Sequence, residues 1–187
     1  MPRIFDNISL RLLPDLQKAL NASYRADFCV GYFNLRGWNE IGEEIESWSG
    51  CDGHCVRLLV GMQRLPHDEL RSSYELFKSK GELDNSTKLR LKRNLAEEFR
   101  EQLVIGAPTN QDEDSLRRLA RQIRAGKLIV KLFLQHPLHA KLYLLFRNDA
   151  FNPIIGYVGS SNLTLAGLSG QGELNVDVLD SDATTKL

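Results

Sequence analysis

The sequence predicts a layered α/β fold, and two observations carry that expectation. A strand, helix, strand succession occupies the first third of the chain, and four further strand-like segments fill its last third. At 187 residues the chain has the length of one domain, by the usual scale of roughly 100–200 residues per domain.

The elements follow in order. Residues 9–22 set Leu10, Leu12, Leu13, Leu16 and Leu20 at helical spacing, with Pro14 in the first turn, and predict an opening helix. From Ala26 the pattern changes to Phe28, Val30, Tyr32 and Leu35, which reads as a strand. Gly37 punctuates it, and Trp38 to Trp48 returns to helical spacing through Ile41 and Ile45. Val56–Met62 is the next strand. Residues 66–126 differ, being rich in Glu, Lys, Arg and Gln and broken by Gly81, Pro108 and the Asp112–Asp114 cluster; they predict an excursion of three helices. The last of these spans about 113–125, with Asp112 or Asp114 as N-cap and Gly126 as C-terminal cap. Strands return at Lys127–Leu134, Ala140–Phe146, Ile154–Gly159 and Leu174–Leu179. The chain stops soon after that strand, at SDATTKL, which suggests a domain excised from a longer protein.

Composition narrows the function classes. With 42% hydrophobic and 26% charged residues the chain is neither disordered nor a coiled coil. Lys and Arg total 24 against 24 Asp and Glu, so any attraction to a polyanion must be local rather than global. Apolar runs fall far short of the ~20 residues that span a bilayer, and Asp6 and Asp15 interrupt any signal-like start. Three cysteines, Cys29, Cys51 and Cys55, suit a reducing cytosol without structural disulfides. The expectation is a cytoplasmic protein with no membrane partner.

The stretch richest in chemistry is His139-Ala-Lys141, followed about twenty residues later by Gly159-Ser160-Ser161-Asn162 and then Glu173. Residues two apart on a strand share a face, so an imidazole and an ammonium can converge on one phosphate. The small residues of the second block let a phosphate approach the backbone and add hydroxyl and amide donors. A nearby carboxylate can fix the tautomer and orientation of an imidazole.

These two blocks, in this order and between strands, resemble the phospholipase D superfamily over residues 127–180, and the whole chain more loosely. The motif's Asp position falls on Phe146; Asp149 lies three residues later in a loop-like stretch and does not inherit that role. Glu173 fits the Glu that nuclease-like members carry some eleven residues past the Asn. The text LHAKLYLLF…IIGYVGSSNLTLAGLSGQGELNVDV is similar to the domain at the N-terminus of some prokaryotic superfamily 2 helicases and in certain restriction endonucleases. The resemblance implies a central mixed sheet flanked by helices in a single domain over 1–187. It also implies a phosphohistidine on His139, with Lys141, Ser160 and Asn162 binding the non-bridging oxygens, and neither a metal nor another cofactor. The family's site is built from two motifs and this chain has one, so a homodimer is expected, each copy supplying one set. A helicase core would lie elsewhere in the parent chain, since no GxxxxGK[ST] loop is present.

Other features were weighed against structural readings. Cys51-Asp-Gly-His54-Cys55 offers zinc-type ligands, but adjacent His54 and Cys55 are awkward on one ion and a fourth ligand is lacking, so no metal site is assigned. His136, three residues before His139 and beside Pro137, is a candidate second acid or rim residue, but a loop histidine beside a proline is more often neither. Arg117, Arg121 and Arg124 share a helical face and, with Lys127, form a basic stretch suited to a nucleic-acid backbone, most simply DNA, or to solvent. Lys88 to Arg93 is a second, weaker basic run. Trp38, Trp48, Phe28, Tyr32 and Phe33 fit a core. Two function classes result: a metal-independent phosphodiesterase acting on nucleic acid, and an inactive module that binds DNA or dimerises a helicase, with a lipid hydrolase a distant third.

Overall fold

A computed structural model describes residues 2–61, 85–103, 110–134, 137–180 and 184. The elements run β1 (Ile4–Phe5), α1 (Leu12–Asn21), β2 (Ser23–Val30), α2 (Leu35–Asn39), β3 (Val56–Val60), α3 (Asn85–Leu103), α4 (Asn110–Arg124), β4 (Leu128–Leu132), β5 (Lys141–Arg147), β6 (Ile154–Gly159), a π-helical turn at Ala166–Gly170, and β7 (Asn175–Val178). Among the described residues the strands form one seven-stranded sheet in the order β1-β7-β6-β5-β2-β3-β4. β2, β3 and β4 run parallel; every other neighbouring pair is antiparallel, so the sheet is mixed.

One row of side chains crosses the sheet through Val130, Leu58, Phe28, Tyr143, Tyr157 and Asp177. Helices α1, α2 and α4 cover that face. Leu12, Leu13, Leu16, Ala19 and Leu20 of α1 are buried, and Asp15 accepts the Tyr157 hydroxyl at 2.7 Å. Between α2 and α4, buried Gln122 accepts the Trp38 indole N–H at 2.8 Å and donates to Gly42 O at 2.6 Å and Glu46 Oε1 at 2.8 Å. An amide so placed satisfies an indole that would otherwise cost about 1–3 kcal/mol to bury unpaired. On the opposite face Arg25 and Arg57 share the Asp27 carboxylate, and the Arg25 guanidinium lies 4.3 Å over the Phe146 ring.

Several boundaries differ from the sequence expectation, each for a local reason. β2 begins at Ser23 and ends at Val30, so Tyr32 and Leu35 lie beyond it. The helix expected over 38–48 is confined to Leu35–Asn39, where the Asn34 side chain caps it by accepting from Gly37 N at 2.9 Å; turns carry Ile41, Ile45 and Trp48 into the core instead. α4 begins at Asn110, so Asp112 and Asp114 lie inside the helix rather than at its cap. Its other end matches: Gly126 has φ +71°, its N–H reaches Ile123 O, and Lys127 N–H reaches Gln122 O, a Schellman closure that favours glycine. Of the three helices expected over 66–126, α3 and α4 are described; residues 62–84 and 104–109, with Gly81 and Pro108, lie outside the described residues, as does His136. β1 had no sequence signal. Arg3 holds it on β7 by donating its backbone N–H and Nε to buried Asp177 at 2.5 and 2.7 Å, while its two terminal nitrogens reach Asp15 at 2.7 and 2.8 Å.

Candidate active site

The site lies where β2 and β3 end, β5 begins and β6 ends. Val30 pairs with Lys141, and Leu142 pairs with Val158, so the register places Lys141 beside both Gly31 and Gly159. Gly31 is the meeting point of the two motif blocks. A Cβ built there would lie 2.5 Å from Leu138 O and 3.4 Å from both His139 Cα and Asn162 Oδ1, so the His139 segment packs directly over the glycine.

The Ser160-Ser161-Asn162 turn is fixed from beneath. Ser161 is wholly buried; its N–H donates to Asn175 Oδ1 at 3.2 Å, its Oγ accepts from Asn175 Nδ2 at 2.8 Å, and its carbonyl accepts the Tyr143 hydroxyl at 2.9 Å. Burial, with the Glu173 charge adding to it, pushes the Tyr143 hydroxyl well above its ordinary range, so it stays a donor. Asn162 Oδ1 accepts Tyr32 N–H at 2.9 Å; this commits the oxygen and leaves the NH2 without a partner among the described residues. Ser160 donates its hydroxyl to the Glu173 carboxylate and accepts from Leu174 N at 2.9 Å. Glu173 N–H in turn donates to Asp6 O at 3.2 Å, which ties the rim of the site to the N-terminal segment. Lys141 Nζ folds back to His139 O at 2.7 Å. The structure thus joins Lys141 to the His139 backbone, Ser160 to Glu173, and Asn162 to the Gly31–Tyr32 turn. The His139 imidazole is exposed and meets no other side chain of this set among the described residues.

No family model matches the sequence, and no curated protein matches it. Solved structures do match in three dimensions. NucT from Helicobacter pylori aligns with TM-score 0.53 at 12% identity, over 100% of this chain and 89% of that one. Nuc from Salmonella typhimurium, a phospholipase D family member, aligns with TM-score 0.53 at 11% identity, over 100% of this chain and 88% of that one. The chain has the phospholipase D fold. At these identities the likeness establishes architecture alone; the mixed sheet flanked by helices, expected from the two blocks, is the one observed.

Within this phospholipase D fold the residue at the motif's Asp position is remote from Lys141, Ser160 and Asn162. Phe146 lies five residues along β5 from Lys141, roughly 17 Å at ~3.4 Å per residue, and points to the other face of the sheet. Asp149 is at that far end too. It accepts Phe151 N at 2.8 Å and Asn152 N at 3.0 Å, bonds that hold its carboxyl below the ordinary range and make it a turn-former. Glu173, by contrast, lies at the Lys141 end.

The basic stretch of α4 is placed less centrally. Val56 pairs with Leu128, so Arg124 and Lys127 stand at the end of the sheet opposite Lys141. Lys127 Nζ is held by Glu46 O at 2.5 Å and Glu46 Oε2 at 3.4 Å, and Arg117 pairs with Glu113 at 2.7 Å; Arg121 and Arg124 are exposed. Among the described residues no group of three or more His, Cys, Asp or Glu is arranged to hold a metal. No described helix is long and apolar enough to cross a membrane. Gly31, Tyr32, Tyr143 and Asn175 had been read as core or not read at all. Their signal is positional, because each lies within two residues of a motif residue in the chain or across a strand pair.

Proposed function

We propose that the chain is a metal-independent phosphodiesterase acting on nucleic acid, working through a phosphohistidine on His139 in a homodimer. The observation that carries the reading is the convergence at Gly31, where the His139 segment and the Asn162 amide meet at the end of the sheet that also holds Lys141, Ser160 and Glu173. A phosphodiester there would set its non-bridging oxygens against the Lys141 ammonium and the Asn162 NH2, and against the Ser160 hydroxyl once it turns from Glu173, donors that neutralise charge as it accumulates. An imidazole nitrogen of His139 forms a bond to phosphorus as the P–O bond to the leaving alcohol breaks, and a second imidazole gives that oxygen its proton. The same imidazole then takes a proton from water; the water oxygen attacks phosphorus, the P–N bond breaks, and His139 is restored.

Among the described residues His54 precedes β3, at the opposite end of the sheet from His139, while His67 and His136 lie outside the described residues; the second imidazole is taken from His139 of the partner copy, because the resemblance implies a site built from two motifs and this chain carries one. Support for nucleic acid as substrate comes from the motif's likeness to helicase-associated domains, which also supports a helicase core in the same parent chain. Arg121 and Arg124 stand as further backbone contacts, with Arg117 and Lys127 partly engaged by their carboxylate partners.

The test is cleavage of single- and double-stranded DNA in EDTA by wild type and His139→Ala, with enzyme quenched in alkaline denaturant examined for labelled phosphohistidine and dimer mass measured in solution. Cleavage and label lost together in the variant are expected. A wild type that binds DNA without cutting it, or a strict monomer that cuts, overturns the reading; the first result makes the domain a recognition module.

A further inference from the structure

Among the described residues, the end of helix α3 that packs into the domain lies on the site. Phe99 stacks on Phe33 with ring centroids 6.1 Å apart and planes at 15°, Gln102 and Leu103 are buried, and the Gln102 carbonyl lies 3.5 Å from the Tyr32 hydroxyl. Tyr32 and Phe33 directly follow Gly31, against which His139 packs. The other half of α3 leaves the body of the domain: Lys88, Leu89, Arg90, Lys92, Arg93 and Asn94 are all exposed.

The charges on this arm are segregated. Lys88, Arg90, Lys92 and Arg93 lie in the first half, which has no acidic residue, and form no ion pair among the described residues. Glu97, Glu98 and Glu101 lie in the second half, with Arg100 as its one cation. The helix dipole favours the reverse order, with carboxylates near the N-terminus and cations near the C-terminus. Helix stability therefore does not account for the arrangement, whereas an external polyanion running along the outer half does. The reach is also suitable. The four cations stand six to eleven residues from Phe99, about 9–17 Å at 1.5 Å per residue, which spans roughly three to five phosphates at 3.4 Å each.

We propose that α3 is a strand-guiding arm, on which Lys88, Arg90, Lys92 and Arg93 contact the backbone phosphates of a nucleic-acid strand whose scissile bond lies at His139. The inference rests on the phosphodiesterase reading for its direction and on the arm's own charge for its ligand. An acidic protein surface is the competing occupant, and the experiment separates the two.

The variant combines Lys88→Gln, Arg90→Gln, Lys92→Gln and Arg93→Gln. Binding of single strands of 2 to 16 nucleotides is measured across a salt series in a His139→Ala background, which prevents turnover. The loss of affinity is expected to be small for the dinucleotide and to grow with length. For the longest strands, the slope of log Kd against log salt should fall by up to about 3, at ~0.7 per single-strand phosphate contact. Identical slopes with and without the four cations overturn the arm and leave the site reading untouched. Hydrolysis of bis(p-nitrophenyl) phosphate in EDTA by the parent chain tests the site alone: if it is absent while the length-dependent slope change is present, the arm stands and the phosphodiesterase reading falls.

Discussion

Asn175→Ala probes how the Ser160-Ser161-Asn162 turn is held. The Asn175 side chain is 2% exposed and makes two bonds to wholly buried Ser161, accepting its N–H at 3.2 Å and donating to its hydroxyl at 2.8 Å. Truncation leaves a backbone donor and a hydroxyl unpaired in a place water does not reach. A buried polar group without a partner costs about 1–3 kcal/mol; the hydroxyl can reorient and the 3.2 Å bond is the weaker of the two, so the sum is about 2–4 kcal/mol. With a urea dependence of about 2 kcal/mol per molar, the unfolding midpoint should fall by about 1–2 M. The double-mutant cycle with Ser161→Ala should show a coupling of about 1 kcal/mol, because each single change removes the same hydroxyl bond. Ser160 and Asn162 flank Ser161, so DNA cleavage measured where the variant remains folded should fall by tenfold or more. A midpoint within about 0.3 M of wild type, or strict additivity with Ser161→Ala, would falsify the claim that Asn175 fixes the turn.

Further outcomes follow from the same geometry. Phe146→Asp, which writes the family's Asp into the motif, should leave the cleavage rate within about twofold, since position 146 is roughly 17 Å along β5 from Lys141; a gain of tenfold or more in a single-turnover assay would show that the Asp position acts on the site. Gly31→Ala should lower stability by about 1–3 kcal/mol and cleavage along with it, because the new Cβ meets Leu138 O at 2.5 Å and must displace the His139 segment; thermal melting and rate measurements check both. Stability should hold between about pH 4 and pH 10 and fall on either side. On the acid side, burial pushes the Asp15 and Asp27 carboxyls up, but bonds from Arg3 and Tyr157, and from Arg57 and Arg25, bring them below the ordinary range. Backbone N–H bonds, that of Leu10 foremost, hold Asp6 down at about 2. These depressed groups contribute stability in full above the unfolded carboxylate value near 4 and lose it as pH falls through their folded values. On the alkaline side, burial raises Tyr143 and Tyr157, whose contribution is complete below about 10 and is lost as pH rises. Urea midpoints measured from pH 2 to 11 would expose a misassigned sign.

What the sequence made legible is what local pattern dictates. Ile154–Gly159 is a strand at its expected limits because its apolar run is continuous and its two ends are glycine and proline signals. Gly126 closes α4 because only a left-handed residue completes that turn readily. The His139, Lys141 and Gly159-to-Asn162 blocks were readable because each is short and set at a strand end. The features that escaped depend on distant partners. β1 is two residues held by Arg3 against Asp177, a separation of 174 residues, and no periodicity reports that. Asn175 and Tyr143 read as ordinary strand residues until the register sets them against Ser161. Helical spacing sets Arg117, Arg121 and Arg124 on one face of α4, but periodicity does not state which end of the sheet a helix terminus meets.

The topology explains why two blocks twenty residues apart form one site. β5 and β6 are an antiparallel hairpin with Leu142 opposite Val158, so the residues just before β5 and just after β6 must arrive at the same edge whatever the turn at 148–152 contains. β2 runs antiparallel to β5 on its other side, and its C-terminal Gly31 therefore reaches that edge as well. Glu173 arrives from β7, antiparallel to β6, immediately before its strand begins. Four chain segments converge without any long insertion, and the motif's Asp position, lying within β5, is carried by the same geometry to the opposite edge. The hairpin fixes Lys141, Ser160 and Asn162 with respect to one another, and among the described residues it brings one imidazole, that of His139, to this edge. In the catalytic proposal the second comes from the matching motif of a partner copy, and that is the place of the homodimer in it.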